Sequence, residues 1–409
     1  MQKFMARQPI LDARVKTYGY ELLFRSGVEP YFNCQNADHA TSSVVDSCLL
    51  LGMQTLTDGG KAFINFTRNI LLNQFATLLP KDQIIVEITE DVQPDPEVLE
   101  ACRSLKRQGY TLALDDFVLK DGITPLVDLA DIIKVDFQAT PRSDWTSLAK
   151  SMRSRGIKLV AEKVETPEQY RQAIELGYNY FQGYFFSKPE IVEGRQVPAY
   201  KLNYILLIKA ISRREPDFTE IEGIIKREPS LTYKLLRYLN SAAFAFYREI
   251  TSIRHALSLL GMQEVQKWVA LVALAGMGAD KPAALAITTM IRARMCELLA
   301  PITGHEKSSL SLFLIGLLSA IDAILQRPMQ ELLKQLSVPP DVYAALVQGN
   351  TPLRQVLDLC IAVETGDWDA ISRLSSSCRI SETKVSDVYL QSVRWSNQVF
   401  HVGESVLTH

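Results

Sequence analysis

Through about residue 190, short apolar runs rich in β-branched residues alternate with stretches whose apolar positions recur every three or four residues. That rhythm predicts strands over 15–24, 62–67, 84–89, 111–116, 131–136, 157–162 and 178–182, joined by helices in a largely parallel sheet. One helix is legible end to end. Asp95 and Pro96 supply the cap and first turn, apolar positions follow through Gln108, and Gly109 stands where a left-handed stop belongs. Seven or eight such units would close a barrel. From about residue 200 the β-rich runs cease and helical spacing takes over, as in Ile221, Ile224, Ile225 and then Leu231, Leu235, Leu236, Leu239. Breaks such as Glu228-Pro229, Gly261, Pro301, Arg327-Pro328 and Pro339-Pro340 divide this half into about nine to eleven helices. The join, near Ser187 to Pro198, is short and polar. Two packed domains are expected, 1–195 and 196–409.

Composition narrows the classes. With 409 residues, 47% hydrophobic and 22% charged, the chain can bury more than one core, which excludes a peptide hormone, a disulfide mini-protein and a disordered tail. Lys plus Arg number 44 against 46 Asp plus Glu, so no broad footprint for a nucleic-acid duplex exists. The opening Met1 to Arg7 lacks the apolar core of a signal peptide. The longest apolar run, Trp268 to Ala279, falls short of the roughly 20 residues that cross a bilayer. The expectation is a cytoplasmic protein with no membrane partner. Six cysteines without a C-x-x-C pair indicate reduced thiols, not a disulfide framework or a zinc ribbon.

The chemistry lies where the apolar runs end. Glu21 sits in the first predicted strand, and the next ones end in Ile64-Asn65, Val86-Glu87-Ile88-Thr89-Glu90, Leu114-Asp115-Asp116, Lys134-Val135-Asp136, Ala161-Glu162 and Gln182. In a parallel barrel the C-terminal strand ends share one rim, where such folds carry their active sites. Carboxylates crowded there repel one another unless cations sit among them. An oxygen-only ligand set without His or Cys points to Mg2+ or Mn2+, and the adjacent Asp115-Asp116 suits two ions about 3.5–4 Å apart. In-line phosphodiester hydrolysis is the reaction such a pair serves best. An isolated Asp-Asp is ordinarily a solvated turn or cap; here the repetition at successive strand ends decides otherwise. Lys134 alone could equally be a structural partner of Asp131 or Asp136.

The segments Gln8-Pro9-Ile10, Tyr20-Glu21-Leu22-Leu23-Phe24-Arg25, Val86 to Glu90, Leu114-Asp115-Asp116-Phe117, Ile133 to Asp136, Ala161-Glu162-Lys163-Val164-Glu165 and Gln182-Gly183-Tyr184 resemble, in order and spacing, the EAL domain of cyclic di-GMP phosphodiesterases. The resemblance spans roughly residues 1–190. It implies an α/β fold, a modified TIM-like (βα)8 barrel, that linearises the bacterial messenger cyclic di-GMP to pGpG with Mg2+ or Mn2+. By position, Glu21, Asn65, Glu87 and Asp115 would hold one ion; Asp115, Asp116 and Glu162, the last through water, would hold the second. Lys134 would orient or activate the attacking water and Gln182 would position it, with Asp136 and Glu165 as support. Arg25 would take a substrate phosphate and Gln8 would face a guanine. Glu90 would brace the loop after Asp115-Asp116-Phe117. EAL barrels often pair, so a homodimer is among the implied partners.

Three positions depart from the family pattern. Leu22 replaces Ala in the signature triplet, but in a strand it points away from a pocket that Glu21 faces. Lys163 replaces the usual Gly, placing a cation where it would compete with a metal or swing outward. Residues 118–123 read Val-Leu-Lys-Asp-Gly-Ile in place of a Gly-rich closing loop, and Val does not take up the positive φ that Gly allows.

In the second half, Arg227 to Ala242, Ile250 to Leu257 and Leu259-Leu260-Gly261 resemble the HDOD domain, an all-helical relative of the HD phosphohydrolases. The ligating His-Asp pair of those enzymes is absent, since Gly316-Leu317-Leu318 is followed by Ser319-Ala320. This half is expected to be no enzyme and to dock a partner protein or regulate the barrel. Two readings of the whole follow: a metal-dependent cyclic di-GMP phosphodiesterase with a regulatory HDOD domain, or a silent adaptor that binds cyclic di-GMP or proteins without turnover.

Overall fold

The computed structural model describes residues 3–26, 53–115, 124–183, 185, 199–213, 216–226 and 253–407. Eight strands form a closed barrel in chain order: β1 (Lys3–Asp12), β2 (Thr17–Ser26), β3 (Lys61–Phe66), β4 (Ile84–Ile88), β5 (Thr111–Leu114), β6 (Ile132–Asp136), β7 (Lys158–Glu162) and β8 (Tyr180–Gln182). From β2 to β8 each neighbour runs parallel; β1 is antiparallel to both β2 and β8. Seven of these strands lie where the hydrophobic pattern places them.

The eighth, β1, the pattern did not predict. Pro9 obscures it, because proline cannot donate a ladder hydrogen bond. β1 pairs with β8 only over Ile10–Asp12, so Pro9 lies along the stretch that has β2 alone as its paired neighbour and the missing donor does little harm. Gly19 on β2 has its own reason: a Cβ there would stand 2.4 Å from the Lys61 carbonyl oxygen of β3.

The one crossover helix read end to end in the sequence follows its predicted signals. In α1 (Pro96–Gln108) the Asp95 side chain accepts from the Val98 N–H, and Gly109 closes the helix at φ 91°. Helix α2 covers Arg142–Ser154, burying Trp145, Leu148 and Met152. A capping box between Thr166 and Gln169 starts α3 (Pro167–Leu176), and Gly177 ends it at φ 89°.

The barrel floor is a single layer of buried side chains, Ile10, Phe63, Ile85, Ala113, Ile132, Val160 and Tyr180, each from a different strand. Successive strand residues face opposite sides, so the next inward layer is reached by moving two residues along each strand. Those positions are Asn65, Glu87, Asp115, Lys134, Glu162 and Gln182. On antiparallel β1 the step runs backwards, from Ile10 to Gln8. One continuous inward stripe thus changes from apolar to charged within a single pleat repeat.

Two compact units emerge: Met1–Lys188 with Val363–Asp369, and Pro189–Ala362 with Ala370–His409. The described part of the second unit is helical; its helices include α4 (Ala199–Ile211), α5 (Phe218–Lys226), α6 (Ile253–Met277), α7 (Ala283–Ile302), α8 (Ser309–Leu318) and, the longest, α9 (Glu382–Leu407). Gly316 of α8 packs so closely that a Cβ would stand 2.6 Å from the backbone of Arg292 on α7. Arg292 donates to Ser319 Oγ (2.9 Å), and Ser319 in turn donates to the Gly316 carbonyl (2.7 Å). Among the described residues no helix is long and apolar enough to cross a membrane.

Candidate active site

The charged layer converges on Lys134. Its side chain is 1% exposed, and its ammonium contacts Glu162 Oε1 at 2.7 Å, Asp115 Oδ1 at 2.8 Å, Glu21 Oε2 at 3.1 Å and the Glu87 carboxylate more closely still. Neither structural alternative for this lysine holds. Asp131 accepts instead from Lys106 and the Leu112 N–H, and Asp136 from Lys163. Five strands contribute to the cluster, which explains why no short sequence window contains it. Gln182 joins it by donating to Glu21 Oε2 (2.7 Å) and Gln8 Oε1 (2.9 Å), and Asn65 donates to Glu21 Oε1 (3.3 Å). Gln8 also donates to the Thr365 carbonyl (2.8 Å).

Four carboxylates around one ammonium leave an excess of negative charge in a buried volume. Burial pushes Glu87 well above the ordinary carboxylate range; Lys134 pulls it back, while Glu21, Asp115 and Glu162 add to the rise. Glu162 is pushed up to about 8, chiefly by burial and against the pull of Lys134. Burial works to neutralise Lys134, but Asp115, Glu162, Glu21 and Glu87 outweigh it and hold the ammonium charged.

This donor set fits hard divalent cations. One oxygen each from Glu21, Glu87 and Asp115 lie within 4.8 Å of one another, the one such acidic, Cys or His group among the described residues. Among the described residues, buried oxygens here also have no hydrogen-bond partner: Glu87 Oε2, Glu162 Oε2 and Gln182 Oε1. Such atoms are costly unless a cation or water completes them. The cluster floors a cavity of about 470 Å3 whose lining includes Gln8, Leu23, Gln138, Lys163 and Glu165.

Other expected site residues stand around this centre. Asp136, at the end of β6, accepts from the Gln138 and Ala139 N–H groups (2.6 and 3.0 Å) and pairs with Lys163. Glu165 lies on the rim, accepting from the Gln138 side chain. Sequence reading missed Gln138, whose only signal is its place two residues beyond Asp136. Leu22 is buried on the opposite face of β2 from Glu21, as strand alternation requires. Glu90 is exposed after β4, and the loop it was expected to brace, residues 118–123, lies outside the described residues, as does Asp116. Arg25 is in β2, but its side chain is likewise outside them. The same holds for 227–252, which carries most of the HDOD-like motifs.

Family comparison agrees with this architecture. An EAL domain model matches residues 34–189 and an HDOD domain model matches 197–338. The cyclic di-GMP phosphodiesterase CdgJ of Vibrio cholerae is 34% identical over 400 residues, covering 97% of this chain and 93% of that protein. The chain belongs to the EAL-HDOD family. The uncharacterized protein YuxH of Bacillus subtilis is 33% identical over 408 residues, covering 98% of this chain and 99% of that one. An EAL domain protein of Listeria monocytogenes, known as a crystal structure, aligns at 22% identity and TM-score 0.36 over 46% of this chain and 88% of its own. The EAL match begins downstream of Glu21, while the barrel includes Glu21 through β2.

Proposed function

We propose that this EAL-HDOD protein is a cytoplasmic cyclic di-GMP phosphodiesterase that opens the cyclic dinucleotide to pGpG, with residues 1–195 doing the chemistry. The observation that carries the reading is the layer of Glu21, Glu87, Asp115 and Glu162 gathered around a buried lysine at the C-terminal mouth of the barrel. The likeness to CdgJ along nearly its whole length supports it.

Glu21, Asn65, Glu87 and Asp115 would hold one Mg2+ or Mn2+, and Asp115, Asp116 and Glu162 a second. Bound there, such ions neutralise phosphate charge and lower the pKa of a water. The protein's own groups do the positioning. Lys134, fixed by carboxylates on four other strands, presents a charged ammonium to the attacking water. Gln182, anchored on Glu21 and Gln8, would position that water. Gln8 holds a guanine edge and Arg25 a phosphate. Asp136 and Glu165 stiffen the β6 and β7 rim. Residues 196–409 dock a partner protein that sets the activity of the barrel.

The test is incubation with cyclic di-GMP and Mg2+ or Mn2+, following pGpG by chromatography. Wild type forms pGpG, and Glu21→Ala and Lys134→Ala do not. No product from wild type with either ion overturns the reading, and product surviving both substitutions overturns the site.

A further inference from the structure

Lys163 follows Glu162 directly at the end of β7 and adopts a left-handed backbone, φ 50°. Non-glycine residues are strained there, and a lysine has no side-chain hydrogen bond to its own turn of the kind that eases Asn or Asp into this region. The conformation is dictated by the neighbours. Val164 N–H donates to the Gln182 carbonyl (3.0 Å), its own carbonyl accepts from Phe185 (3.1 Å), and Gly183 lies so near that a Cβ would stand 2.2 Å from the Val164 oxygen. Glycine would satisfy this backbone without strain. What lysine adds is its side chain, which lines the cavity above Lys134 and reaches Asp136, 51% of it exposed. Strain of this kind next to a cluster of reactive groups signals a task for the side chain.

We propose that Lys163 is a substrate-binding residue that donates to a phosphate oxygen of the dinucleotide. The inference rests on the proposed function and adds to it a cation supplied by this chain. Asp136 is the perch: two backbone N–H groups and the lysine satisfy it, so it fixes the ammonium at the mouth, on the β6 and β7 side. An ammonium has three donors, so it can remain on Asp136 while binding a phosphate oxygen. A cyclic dinucleotide carries two phosphodiesters, and one alone can lie over the carboxylate layer. Lys163 meets the anion at the rim.

The experiment titrates a hydrolysis-resistant phosphorothioate analogue of cyclic di-GMP into wild type, Lys163→Met and Lys163→Gly by calorimetry in Mg2+ at low and high NaCl, with initial rates of pGpG formation from cyclic di-GMP in parallel. Loss of a charge-assisted hydrogen bond at a half-exposed position should weaken binding about five- to tenfold at low salt. Both variants should also show a shallower loss of affinity with salt than wild type. Lys163→Arg should restore most of the affinity and the salt dependence. If Lys163 merely braces Asp136, the substitutions will change the melting temperature but neither the affinity nor its salt dependence, and the proposal falls. Wild type that binds but makes no pGpG overturns the phosphodiesterase reading, while the binding series still decides the role of Lys163. Wild type that fails to bind overturns both.

Discussion

Replacing Lys134 with Met removes a buried ammonium while keeping much of its volume. Four carboxylates then face one another with no cation between them. At 2.8 Å, a single pair such as Lys134 with Asp115 has a gross attraction of about 6 kcal/mol at an effective dielectric of 20. Desolvation offsets most of that, and breaking a buried pair by removing one partner costs about 3–5 kcal/mol net. For a folding unit of this size each kcal/mol lowers the melting temperature by roughly 2–4 °C, so a fall of roughly 6–20 °C is expected in EDTA at pH 8. At pH 5.5 the fall should be smaller, because Glu87 and Glu162, both raised by burial, take up protons in place of the lost cation. Saturating Mg2+ or Mn2+ should narrow the gap, by about 1.4 kcal/mol for each tenfold by which the variant, freed of the competing ammonium, binds an ion more tightly than wild type. Activity should stay lost throughout. The assay is calorimetric melting of wild type and variant with and without ions at both pH values. A variant as stable as wild type in EDTA at pH 8, or one equally destabilised with and without ions, would refute the idea that Lys134 and divalent ions share one pool of carboxylates.

Burial raises both Glu87 and Glu162, the latter to about 8, and each must lose its proton to serve an ion, so Mg2+ or Mn2+ affinity should rise by about tenfold or more per pH unit from pH 6 to 8. Calorimetry over that range showing flat affinity would contradict it. The folded state also binds the Glu162 proton more tightly than the unfolded chain, so ion-free stability should fall as pH rises from about 4.5 to about 8, read as a drop in melting temperature. Gly183→Ala drives a Cβ into the Val164 backbone and should destabilise by about 3 kcal/mol, whereas Thr166→Ala, removing one arm of the capping box, should cost about 1 kcal/mol and leave pGpG formation intact; denaturant melts and rates separate the two.

Most of the charged layer could be read without a structure because strands have period two. An apolar run that ends in a polar residue at the same inward position, repeated around a barrel, places those polar groups on one rim. Glu87, Asp115, Lys134 and Glu162 follow this rule. Gln8 does not, since it lies before the apolar residue of its strand, and only the reversed direction of β1 carries it to the same mouth. The family motif brought Gln8 into the site where periodicity alone would have left it out. Gln138 carried no signal, as its hydrogen bonds to Glu165 and Asp136 depend on how the chain turns after β6.

By itself the sequence determined the local matters: seven strands, the caps of α1, a barrel followed by a helical half, and acidic residues at successive strand ends. These rest on interactions between residues a few positions apart. Tertiary structure alone decided which acid meets which base. Lys134 had near neighbours in Asp131 and Asp136, yet it turned to carboxylates on four other strands, leaving Asp136 to Lys163. That choice belongs to barrel closure, which brings inward-facing groups from distant segments to within 3 Å or so of one another and excludes the water that would otherwise screen them.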